Sequence, residues 1–143
     1  MTSFRFPLQR VLNWRRTQLE LEEVRFKQQL MAVADLDRIR AELEAAGIKA
    51  EIQVRGWSAL AGCDLAALGS FRLDVKQKEN QIASRRVECQ KTFEAQQCIM
   101  LEARRRCRLL ERLKDRRLAD WTSARDHELE ELASESFLAK WGR

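Results

Sequence analysis

The sequence predicts an all-α protein built as a long antiparallel two-helix coiled-coil hairpin. Three observations carry that expectation. There is one proline and only five glycines in 143 residues, so little interrupts a helix. Charged residues make up 34% of the chain beside 45% hydrophobic ones, with a mean hydropathy of -0.50, which suits a narrow apolar seam better than a thick core or a disordered coil. Apolar residues also recur every seven positions along two separate stretches, the spacing that winds helices around one another.

The length fits a single domain, 1–143. Helix 1 is expected over about 7–46. Pro7 suits a first helical position, and its ring drives Phe6 towards an extended conformation, leaving Phe4, Arg5 and Phe6 as a short leader. Leu12, Leu19, Phe26 and Val33 then recur at heptad spacing, with Leu8, Leu36 and Leu43 on the companion position. Arg15, Glu22, Gln29 and Arg40 interrupt this stripe, so it reads as a loose seam.

Gly47, Gly56, Gly62 and Gly69 punctuate the next segment, which also loses its charges between Gly56 and Cys63. The reversal is therefore expected within 47–69, with Ser58 and Asp64 as N-caps for a short helix inside it. Helix 2 is expected over about 70–140. It carries Leu68, Val75, Ile82 and Cys89 at heptad spacing, joined by Phe93, Met100 and Cys107. No glycine or proline falls between Ser70 and Trp141, which permits one helix of about 70 residues, roughly 100 Å long. Because helix 2 outruns helix 1, its C-terminal part, with Leu132, Phe137 and Leu138, is an overhang suited to binding.

Several function classes lose their support at this stage. The longest uncharged stretch, Gly56 to Cys63, is far below the roughly 20 apolar residues of a membrane span, so no integral membrane segment is expected. The N-terminus lacks an apolar signal region, which points to the cytoplasm. There Cys63, Cys89, Cys98 and Cys107 stay as thiols, without C-x-x-C spacing for a metal. His127 stands alone in an acidic stretch and reads as a surface residue. No glycine-rich phosphate loop, H-E-x-x-H or G-x-S-x-G occurs, so no catalytic residue, cofactor or metal is assigned.

Charge is concentrated between Arg104 and Arg117, where eight positive and two negative residues give +6, against -1 for the rest of the chain. On a helix these cations form a collar with few acidic neighbours of their own. The collar reads either as a solvated surface pairing with Glu20, Glu22, Glu23, Asp35 or Asp37 across the hairpin, or as a dock for an acidic partner. Nucleic acid is not expected, because no aromatic residue lies within the collar to stack on bases. Five acids and no Lys or Arg follow in 126–135, polarising the C-terminal region. Among four tryptophans, Trp14 and Trp121 would be brought together by an antiparallel hairpin. That makes a terminal face of Trp14, Arg15, Arg16, Arg117, Leu118 and Trp121, readable as a partner site or as internal pairing.

The opening Phe4-Arg5-Phe6-Pro7-Leu8-Gln9-Arg10-Val11-Leu12, followed by Arg15 and Arg16, resembles the start of the FliJ family of flagellar type III export proteins. Near the end, Arg116-Arg117-Leu118 and then Glu128-Leu129-Glu130-Glu131-Leu132-Ala133 are similar to its closing segment. The specific motifs cover about a quarter of the chain, and the absence of tyrosine departs from the family pattern. The resemblance implies an antiparallel coiled coil without enzymatic activity. It implies a stalk-like component, cytoplasmic and peripheral to the membrane at the flagellar base, that binds the hexameric export ATPase, the membrane export gate protein and export chaperones. Taking the leader and the terminal face together, the expected partner-binding residues are Phe4, Phe6, Trp14, Arg15, Arg16, Arg116, Arg117, Leu118 and Trp121, on a chain expected to be monomeric when free. The injectisome counterpart of the family shares these features. Two other classes fit the residues: a dimeric coiled-coil scaffold, and an interfacial protein binding anionic lipid through its aromatic and basic N-terminus.

Overall fold

A computed structural model describes residues 3–142 of the chain. Two helices, α1 (Gln9–Arg55) and α2 (Gly62–Trp141), account for nearly all of it, and they pack against each other as a hairpin. Contacts gather into two compact units, Met1–Leu21 with Leu101–Arg143, and Glu22–Met100.

The start of α1 lies two residues beyond Pro7. The Gln9 amide donates to the Phe6 carbonyl at 3.1 Å, a tight turn that leaves Pro7 leading into the helix. The reversal, expected within 47–69, takes only residues 56–61, so α1 runs past the expected end near 46 and α2 begins before the expected start near 70. Gly47 and Gly69 lie inside the helices and no separate short helix forms. A helical glycine costs about 1 kcal/mol, too little to break a helix held by packing along its length. A methyl group at Gly47 would stand 3.8 Å from Val75 Cγ1, so the small residue sits where the facing helix comes near.

The helices close on the short turn by different devices. The end of α1 tightens, with the Gly56 and Trp57 amides donating to Gln53 and Val54 at 3.2 Å. At α2, Asp64 is not the N-cap. It lies in the first turn and its carboxylate accepts from the Ala61 amide at 3.0 Å, satisfying an otherwise unpaired donor and placing negative charge at the positive end of the helix. Ser58 stays in the turn.

Both seams follow the heptad spacing. Sheltered residues on α2 recur in steps of three and four from Val75 to Lys114, and on α1 the polar interruptions Arg15, Glu22 and Gln29 are themselves partly covered. In the Glu22–Met100 unit, Phe26 stacks on Phe93 with ring centroids 5.1 Å apart. Polar seam residues find partners in the same unit: Gln96 donates to the Glu22 carboxylate and Arg86 to Asp37. No buried side-chain nitrogen or oxygen lacks a partner among the described residues, as burial of polar groups requires. In the other unit a small core forms from Phe6, Leu12 and Cys107, flanked by Phe4, Leu19 and Leu110. Beyond Thr122 every described residue except Arg125 is exposed, which is the overhang that the unequal helix lengths imply.

Candidate functional site

The aromatic and basic residues singled out near the two ends of the chain all fall in the unit formed by Met1–Leu21 and Leu101–Arg143. Pro7 and the Phe6 carbonyl set the direction of the leader, and an apolar pair then anchors it. Phe6 is buried against Leu12 and Cys107, and Phe4 packs on Trp121 with ring centroids 6.0 Å apart at 55°, a tilted arrangement that aromatic quadrupoles favour. Phe6 thus serves the core rather than an exposed surface. Arg125 lies over the Trp121 ring, 5.4 Å from its centroid, so that tryptophan contacts both an aromatic ring and a cation.

Around this anchor opens a cleft of about 730 Å³ lined by Phe4, Pro7, Leu8, Leu113, Arg117, Asp120 and Trp121 among others. Its lining is mostly apolar, with Arg5, Arg117 and Asp120 adding charge. A second cleft of about 600 Å³, beside Arg5, Arg10 and Lys114, shares Phe4, Phe6 and Pro7 and is cationic. Together they can take an apolar side chain and hold an acidic group beside it. Asp120 and Arg125 were not singled out in the sequence, and Leu113 only as apolar content of helix 2, because their part here depends on where the leader lies.

The remaining residues are placed as follows. Trp14 is 54% exposed with the Arg15 guanidinium 4.8 Å from its ring centroid. Arg16 donates through Nε and Nη2 to Glu111 Oε1 at 3.1 and 3.0 Å, so its charge is already answered. Leu118 is 39% exposed. Arg116 is exposed and forms no ion pair among the described residues.

The arginine collar is resolved by geometry. Of the acids considered as its partners, Glu22 binds Arg25 and Gln96, Asp35 lies 3.8 Å from Arg38, and Asp37 binds Arg86. Within the collar, Arg106 pairs with Glu102 at 3.0 Å. Arg105, Arg108, Arg112 and Arg116 are exposed and carry no ion pair among the described residues. At about 100° per residue these four lie within an arc of about 80°. Buried Cys107 and half-buried Leu110 and Lys114 point the other way. These four form a stripe on the outer face of α2, while Arg117, also exposed and without an ion pair among the described residues, lies off it.

Burial, aided by the nearby Glu111 charge, pushes the Cys107 thiol above its ordinary pKa, so it stays protonated and packs as a small hydrophobe. Cys63 and Cys98 are exposed. No group of three or more metal-ligating side chains occurs among the described residues, and His127 Nδ1 lies 3.2 Å from Glu131 on the exposed overhang. No described helix is long and apolar enough to cross a membrane. No family model, curated protein or solved structure matches this chain.

Proposed function

We propose that this chain works by contact, without chemistry of its own, as a stalk-like coiled coil of the FliJ kind that binds a hexameric export ATPase and couples it to the membrane export gate and export chaperones. The observation that carries the reading is the mostly apolar cleft built by the leader against α2, with Arg117 in its lining and unpaired arginines nearby. A hairpin that ends in an aromatic anchor ringed by cations suits insertion into an acidic, partly apolar socket. Aromatic and arginine side chains are the types that dominate protein interfaces. The sequence resemblance supplies the identity of the socket, and the place of action is then the cytoplasmic face of the membrane at the flagellar base or its injectisome equivalent.

A pull-down with the export ATPase of the same genome, followed by hydrolysis assays, tests this. Stable binding with stimulated hydrolysis is expected. Arg116→Glu with Arg117→Glu should keep the helicity and weaken binding by about tenfold or more, the scale set by reversing interface charges. Wild-type protein that ignores an assembling ATPase would defeat the reading.

A further inference from the structure

The outer face of α2 continues past the arginine stripe into residues of opposite charge. Asp126 and Glu130 follow on the same face, then Phe137 and Trp141, all of them exposed. Their positions mirror those of the stripe about Ala119. Arg112 and Asp126 lie seven residues either side of it, Arg108 and Glu130 eleven, and Leu101 and Phe137 eighteen. Steps of seven, eleven and eighteen all return to nearly the same side of an α-helix, which has about 3.6 residues per turn. Read in the opposite direction, the face therefore sets two of its four arginines against acids and Leu101 against Phe137, while Arg105 and Arg116 fall opposite the uncharged Ala133 and Thr122.

We propose that this face is the interface of an isologous antiparallel homodimer, with the two-fold axis at Ala119 and a second copy of this chain as occupant. Two-fold symmetry sets every residue opposite its mate. Arg112 then meets Asp126 of the second copy, Arg108 meets Glu130, and Leu101 meets Phe137, each contact occurring twice. Ala119 on the axis is small enough to let the helices approach within about 8–10 Å.

Three facts favour a second copy over a polyanion or an anionic membrane. A face made for phosphates would not carry Asp126 and Glu130 in line with its arginines, since they would repel the ligand. Asp126 is held by Arg125 through Oδ1 alone, at 3.0 and 3.2 Å, leaving Oδ2 open, and no ion pair engages Glu130 among the described residues. Phe137 and Trp141, stacked 5.9 Å apart yet 60% and 79% exposed, gain a surface to cover them. This dimer departs from the monomer expected from sequence and stands independently of the proposed export role.

Sedimentation equilibrium of the full chain tests it. The wild type should dimerise at low salt and dissociate at high salt, because the screening length falls from about 8 Å at physiological ionic strength to about 3 Å at 1 M. Arg108→Glu with Arg112→Glu, and separately Asp126→Arg with Glu130→Arg, should each raise the dissociation constant by about tenfold or more. The combined four-site exchange should restore the dimer, with circular dichroism checking that every variant stays helical. Ala119→Cys, in a chain carrying Cys63→Ser and Cys98→Ser, should cross-link to itself on oxidation. A wild type that is monomeric at every concentration overturns the proposal. So does a dimer indifferent to both charge reversals, or a four-site exchange that fails to restore association.

Discussion

Arg86 occupies a seam position of α2, yet its guanidinium swings out to bind the Asp37 carboxylate of α1 through two hydrogen bonds. A long cation on the seam thereby keeps its stem against the neighbouring helix and its charge in water. It also ties the two helices at one axial register within the Glu22–Met100 unit.

This pair sets a pH dependence. Hydrogen bonding to Arg86, with its charge and that of Arg40, holds the Asp37 carboxyl below its ordinary pKa, and the Arg86 guanidinium is raised by the same contact. The folded state then binds its proton less readily than the unfolded chain. The contribution is present above the unfolded pKa of about 4 and fades as pH falls through the lowered one. Thermal melts of wild type and Asp37→Asn should differ by a small, constant amount at neutral pH and converge in acid. Curves that stay apart in acid would contradict it.

Leu12 is fully buried between Phe6 and Cys107. Leu12→Ala should cost about 2 to 3 kcal/mol in urea unfolding, the lower part of the range for such changes, since a helix pair can close partly on the gap. A loss under about 1 kcal/mol would mean that this core holds little, given the usual scale of buried side chains.

The Phe26 and Phe93 rings, 5.1 Å apart, should couple. A double-mutant cycle to Ala is expected to give about 0.5 to 1.5 kcal/mol beyond area burial. Replacing Leu19 and Phe26 together by charged residues should abolish much of the helicity, read by circular dichroism.

Gly47→Ala should stabilise the fold by about 0.4 to 1 kcal/mol, because the added methyl finds only ordinary contact with Val75 and the unfolded chain loses freedom. Gly69→Ala, with nothing within 4 Å of the new methyl, should do the same. Shifts in the urea midpoint would check both.

Thiol reactivity should follow exposure. Cys63 and Cys98 should react with an alkylating reagent in the native state, and buried Cys107 only on unfolding. Peptide mapping after a timed pulse separates the three.

Much of the architecture was legible in the residues. Leu12 to Val33 and Leu68 to Cys89 mark both seams because heptad periodicity is a property of each helix alone. The mismatch in helix length, hence the exposed overhang, followed from the same pattern. Gly47 and Gly69 misled because their penalty is local, while the packing that overrides it comes from the facing helix.

What the sequence by itself determined was therefore the class of fold, the position of the seams and the concentration of charge near Arg104 to Arg117. Only the tertiary structure decided that the reversal is confined to 56–61, that Phe6 enters the core while Phe4 covers Trp121, and that Asp37 answers Arg86 rather than an arginine of the collar. The reason is physical. Periodicity repeats along one chain and can be read there, whereas the pairing of a given charge or ring depends on the axial register between two helices, which packing at the seam sets.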